Sequence, residues 1–250
     1  MAKSRHYYIR RSHRYLGLLL GIQFLLWTIG GLYFSWTNMD EVHGDHLRRP
    51  APLLPAGLAL VSPAEVLVNL PFRSDSIHSL QLLPVLGQPH YALQVYSGGK
   101  LRPVLADALS GRARAAINRE EAIAIASAQF NGVPKLRAAT LIATTDGHHE
   151  YREKPLPAWA LSFDHPSRTT VYVSANIGRV ESFRNDSWRI FDWLWMLHTM
   201  DYESRDNINN WLLRIFSVFG LVTVLSGFVL YAVSSRGWSR KKQRAAHKAG

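Results

Sequence analysis

Eleven histidines and no cysteine define the chemistry open to this chain of 250 residues. Thiol nucleophiles, disulfides, thiolate-held zinc, iron–sulfur clusters and covalently attached c-type haem are excluded. Imidazole, carboxylate and hydroxyl groups remain. His198 stands in an aromatic stretch, WLWMLHTMDY, just before a long apolar run. A helix over 187–199 places Trp188, Phe191, Trp195 and His198 along one face, at spacings of three and four. His13 heads an earlier apolar run with His6 close by, and His43 and His46 follow that run in EVHGDH. Neutral imidazole is a good axial ligand of haem iron, and facing pairs hold b-type haem between helices. The plainer role for His13 and His198 is an interfacial histidine bonded to water, lipid phosphate or a carbonyl, and for His43 and His46 that of a linker residue.

Other motifs offer less. HHEYRE, starting at His148, is not the zinc pattern H-E-x-x-H, because position 153 is glutamate. Adjacent residues of an extended segment point to opposite sides, so His148 and His149 do not grip one ion. TTDGHHEYREKP therefore reads as an exposed loop, and no metal site is expected. Asp201, Glu203 and Asp206 read as solvated surface charge. The chain has no glycine-rich phosphate loop, no G-x-S-x-G and no paired-acid motif, so no catalytic residue is assigned.

These histidines take their meaning from the elements that carry them. Lys3, Arg5, Arg10, Arg11 and Arg14 crowd residues 1–14, and Arg236, Arg240, Lys241, Lys242, Arg244 and Lys248 crowd residues 234–250, with no acid in either tail. These eleven bases equal the whole net charge of +11, so the middle of the chain is neutral. Such a distribution points to orientation in a membrane and attraction to anionic lipid, not to nucleic acid. Each tail abuts an uncharged apolar run, Tyr15–Trp36 and Ile215–Val233. The first, at 22 residues, reaches about 33 Å as a helix, enough to cross a hydrocarbon core of about 30 Å. It exceeds a signal-peptide core and lacks a small-x-small cleavage site, so a retained anchor is expected. With the bases inside, both termini are cytoplasmic and residues 37–210 lie in the periplasm of a bacterial inner membrane. The aromatic helix then lies at the outer surface, where indole and phenol rings favour the headgroups.

Small residues suggest how the spans pack. Gly17 and Gly21 form a G-x-x-x-G step, while Gly220 and Gly227 lie on one seam of the second run. Packing within a hairpin is expected, with a homodimer as the rival use of either seam. Gln23, polar inside the first run, calls for a helix–helix hydrogen bond.

Between the runs, residues 37–61 hold prolines and scattered charge and read as a linker, not a helix. Two helix starts follow. Ser62-Pro63 with Glu65, and Asn118 with Glu121, carry an N-cap followed three residues later by an acid. Strand-like stretches repeat after each: PHYALQVY against PAWALSFD, and VLADALSGRA against VYVSANIGRV, offset by 68 and 67 residues. A duplicated module is expected, repeat 1 over 62–117 and repeat 2 over 118–186, each a helix followed by antiparallel strands. The aromatic helix occupies 187–210 and the second span 211–233. The fold class is thus a membrane α+β protein, two transmembrane helices flanking a duplicated helix-plus-strands domain.

NREEAIAIASAQF followed by YVSANIGRVESF resembles a PepSY domain. HRYLGLLLGIQFLLWTIGGLYFSW resembles the first helix of the PepSY-associated transmembrane family, with its His-Arg-aromatic-Leu-Gly opening. LHTMDY before LSGFVLY resembles a later helix of that family. The resemblance implies that His13 and His198 match family histidines suspected of binding haem b, the one cofactor it raises. On opposite sides of one membrane they cannot share one haem in a monomer, so each pairs with a residue such as His46 or His6, or with its counterpart in a dimer. Larger members with four spans include ferric-siderophore reductases. A two-span form implies a non-catalytic binding or accessory module linked to iron or siderophore uptake, working on another membrane or periplasmic protein. Haem-mediated electron transfer and peptidase inhibition are the alternatives the family supplies.

Overall fold

Helix signals at the two N-caps and glycines at the turns fix most of the local structure. The structure, a computed structural model, describes residues 5–133 and 135–248, with side chains at all of these except 5, 6, 8, 9, 12 and 233–248. The readings made for Lys3, Arg5, His6 and the basic side chains of 234–250 lie outside the described residues. In chain order the elements are α1 (Arg5–Trp36), α2 (Met39–His43), a 3-10 turn (Asp45–Leu47), α3 (Pro63–Val68), β1 (Ser76–Val85), β2 (Gln88–Ser97), β3 (Lys100–Asp107), β4 (Ala113–Arg114), α4 (Arg119–Ala128), β5 (Leu136–Ile142), β6 (Ala158–Phe163), β7 (Thr170–Ser174), β8 (Val180–Arg184), α5 (Asp186–Thr199) and α6 (Trp211–Lys248). The chain forms two units, Thr37–Phe191 and a helical unit of Met1–Trp36 with Asp192–Gly250.

The unit Thr37–Phe191 holds two four-stranded antiparallel meanders, β1-β2-β3-β4 and β5-β6-β7-β8. Each follows a capped helix. Ser62 caps α3 through the Ala64 N–H with Pro63 in the first turn, and Asn118 and Glu121 form a reciprocal capping box on α4. The two modules repeat one hydrogen-bond scaffold. The Asp107 N–H donates to the Arg112 carbonyl and the Gly111 N–H to Asp107, as the Ser174 N–H donates to Arg179 and the Gly178 N–H to Ser174. Likewise Ala108 bonds Pro89 and Val61 bonds Ala108, matching Ala175 on Pro157 and Ile117 on Ala175.

Strand alternation splits the core into layers. Tyr91, Leu93, Val95, Val104 and Ala106 face Val66 of α3. On the other side, Ala122, Ile125 and Ala126 of α4 join Leu161, Phe163, Val171 and Val173 of the second sheet with Val85, Ala92 and Leu105 of the first. One apolar cluster thus belongs to both modules. At about 25 cal/mol per Å² of buried apolar surface, that shared interior is what joins them. Gly178 sits inside it at φ +67°, where a Cβ would come within 3.0 Å of Ile117 and 3.1 Å of Val85.

The linker expected over 37–61 is partly helical. Asn38 caps α2 and Gly44 ends it at φ 75°. Val42 and Leu47 are buried. Leu47 and Arg49 exchange backbone bonds with Asn131 and Gln129, and Asn185 donates to the Glu41 carbonyl at 2.7 Å. Five residues are too few for a helical period to register in sequence, and tertiary bonds hold them in place.

In the helical unit, α1 and α6 carry stretches long and apolar enough to cross a membrane, His13–Trp36 (24 residues) and Trp211–Ala232 (22 residues). They pack together at Gly220, whose Cβ position lies 3.1 Å from Phe24, and at Gly227, beside His13. Two apolar helices flanking two antiparallel sheets make this an α+β membrane protein.

Candidate functional site

His13 is near the start of α1, whereas His198, on α5, packs against the later part of α1. The His13 Nδ1 is 2.7 Å from the Ser226 hydroxyl of α6. The His198 ring stands among Trp27 and Phe34 of α1 and Trp195 of α5, with centroids 5.8, 6.1 and 5.9 Å away. From His13 to Trp27 is about 21 Å of helix. His13 and His198 are therefore not brought together within a single chain, and a bis-histidine haem site does not fit these two residues in one copy. His198 is exposed, and among the described residues nothing hydrogen-bonds its ring nitrogens. His46 belongs to the sheet unit. Its Nδ1 lies 3.5 Å from the Asp40 carbonyl, while His43 is 4.0 Å from the Asp45 carboxylate.

Of the four glycines singled out on the spans, Gly220 and Gly227 face α1. Gly17 and Gly21 do not face α6, since a Cβ at either meets nothing within 4 Å. Gln23 is buried and donates to the Leu197 carbonyl at 3.0 Å. That carbonyl is in the last turn of α5, where no intrahelical donor is left for it. Asn210 serves both neighbouring helix ends, donating to the Thr199 carbonyl and accepting from the Leu213 N–H, each at 2.8 Å.

The acidic cluster of the α5–α6 connection is not uniformly solvated. Asp201 is buried and accepts from the N–H groups of Glu203, Ser204 and Asn207 and from the Ser204 hydroxyl. Burial alone raises its pKa, but those donors outweigh it and hold the value down to about 2. Asp192, a charge set inside the aromatic helix, is buried and pairs with Arg205. Its place among tryptophans was the signal for a buried partner, and the sequence reading passed over it.

The loop over 144–155 also departs from expectation. His148 is exposed, but Tyr151 is fully buried and stacks on Tyr172 at 4.6 Å. Glu150 accepts from Arg189 at 2.7 Å and from the Tyr172 hydroxyl at 2.7 Å. Burial comes first in raising the Tyr172 pKa, and the Glu150 charge adds to it. The His149 Nδ1 accepts from the Tyr151 N–H. This side of the second sheet, with Ala158 beside the tyrosines, is closed by the loop itself. The partners stand 39 and 22 residues apart, and no local spacing announces them.

Between the modules a half-open cavity of about 230 Å³ is lined by Ser79, Gln81 and Gln94 of the first sheet and Leu156, Ile177 and Arg179 of the second module. Arg179 is already engaged, bonding both oxygens of Glu181 at 3.1 and 3.2 Å and the Gln81 side-chain oxygen at 3.3 Å. The side chains of Ser79 and Gln94 and the Gln81 amide nitrogen make no hydrogen bond to the described residues.

An apolar helix at each end, with a PepSY-like pair of helix-and-meander modules between them, defines a class of membrane-bound α+β protein. The chain belongs to the PepSY-associated TM region family, whose model matches residues 10–250. No curated protein and no solved structure matches it.

Proposed function

We propose that this protein is a two-span inner-membrane protein with both termini in the cytoplasm. Its duplicated PepSY-like unit faces the periplasm as a non-catalytic binding or accessory module. It acts on another membrane or periplasmic protein, in iron or siderophore handling as the family resemblance implies. The observation that carries this reading is the single apolar cluster shared by both modules, which makes one rigid binding body from two repeats. The bases of Arg10, Arg11 and Arg14 at the head of the first span support the orientation.

A second reading rests on His198, exposed among aromatic rings, its ring nitrogens without a hydrogen bond to the described residues. Two copies, meeting on the face of α1 that Gly17 and Gly21 leave open, would bring one such histidine each to a b-type haem. An absorption spectrum of the purified membrane protein separates the two. A colourless protein whose folding is unchanged by His198→Ala fits the module. A reduced Soret and α-band pattern that vanishes in His198→Ala fits haem and overturns the first reading.

A further inference from the structure

β1 is the edge of the first sheet, and it is ten residues long. An open edge presents unpaired N–H and C=O groups, and native proteins shorten such edges with bulges and prolines. Both devices are present. The β1–β2 register breaks between Ile77 and Ser79, and Pro84 interrupts the other end. What is left is Ser79–Leu83, a window about one short peptide long.

The two faces of that window differ. On one, Leu80 and Leu82 are 42 and 44% exposed, because α3 covers the middle strands of the sheet and not β1. On the other, Ser79 and Gln81 line the cavity between the modules. Its 230 Å³ is smaller than the ~300–1,000 Å³ of small-molecule pockets and suits a single large side chain. Leu101, Leu156 and Ile177 give it apolar walls, while Ser79, Gln81 and Gln94 offer amide and hydroxyl groups at its mouth. The one cation there is neutralised by the carboxylate of Glu181, whose side chain is 8% exposed. A charged ligand segment would be desolvated there with no opposite charge left to meet it.

We infer that this edge and cavity form a docking site for an uncharged, extended peptide segment of a partner protein. The segment adds a strand to Ser79–Leu83, and one apolar side chain enters the cavity. The β1 main chain carries the pairing, and the Gln81 and Gln94 amides line the cavity that the side chain enters. This site rests on the reading of the duplicated unit as a binding module, and names the kind of partner it takes.

The test uses the full chain in detergent micelles and a panel of fluorescein-labelled hexapeptides with blocked ends. They are uncharged and β-prone, with Leu, Phe or Val at the centre, and binding is read by fluorescence anisotropy. Saturable binding by at least one peptide is expected. It weakens about tenfold when the central residue is Asp, and about tenfold in Ser79→Trp, which fills the cavity mouth from a partly exposed position. Gln94→Ala, a change that leaves the core untouched, weakens it less. Circular dichroism melting of each variant separates lost binding from lost fold. No saturable binding up to about 1 mM, equal binding of the Asp peptide, or undiminished binding in a folded Ser79→Trp overturns the site. Binding by a chain whose sheet unit proves cytoplasmic would retain the site and overturn the periplasmic reading.

Discussion

The two modules share a turn scaffold bond for bond, yet they differ in how they are closed. In the second, α4 covers one sheet face and the 144–155 loop the other, with Glu150 bound to Arg189 and Tyr172. The first has a six-residue helix and a two-residue last strand, and Leu80 and Leu82 of its edge strand β1 are exposed. On the proposed reading, the second module carries stability and the first keeps surface available. A domain can hold an exposed, partly apolar edge when its neighbour supplies the shared interior.

The sharpest test of this contrast is a pair of equivalent glycines. Gly178→Ala should destabilise by about 3 kcal/mol, from left-handed backbone strain plus overlap with Val85 and Ile117. Gly111→Ala, also left-handed, comes no nearer to a neighbour than 3.4 Å, at Val61, and should cost about 1 kcal/mol. Denaturant unfolding of the two variants measures the gap, and equal losses would erase the proposed asymmetry. Next in size, Glu150→Ala removes the acceptor of the Tyr172 hydroxyl and leaves Arg189 with Asp186 as its carboxylate, and should cost about 2 kcal/mol by the same measurement. The first module has no counterpart to this contact.

The smallest effect is one of pH. Asp107 accepts from the N–H groups of Leu109 and Ser110 in the first module's turn, where the second has Ser174. The Ser110 N–H lowers its pKa most, burial opposes, and the Leu109 N–H lowers it further. A depressed folded pKa contributes stability that is present above the ordinary aspartate value of 3.8 and lost as pH falls through the folded value. Asp107→Asn should flatten that part of the acid-unfolding curve, while Ser174→Ala should leave its shape unchanged.

Much of this architecture was legible in the sequence. The apolar runs, both N-caps and the paired Gly-Arg turns are local signals, each fixed by a few neighbouring residues, and each appears where its chemistry placed it. What was missed is non-local or short. Five residues of α2 carry no period, and Asn185, which holds them, lies 144 residues away. Glu150 looked like one more charge in a polar loop because Arg189 and Tyr172 meet it only through the fold. Asp201 looked solvated because its donors are mostly backbone N–H groups, which composition does not reveal. At the histidines, sequence already set His13 and His198 at opposite ends of the spans, but it did not supply Trp27 and Phe34 as the rings beside His198.

The central claim is the partition of the chain by the membrane, and the absence of native cysteine makes it directly measurable. Gly147→Cys places a thiol on the exposed 144–155 loop, and Gly250→Cys places one at the C-terminus. Cells expressing each variant are treated with a membrane-impermeant maleimide after the outer membrane alone is opened. Labelling of Cys at 147 in intact inner membranes, with Cys at 250 reacting only after lysis, is the expected result. Labelling of position 250 before lysis, or protection of 147 until lysis, would contradict the two-span, exported-module account.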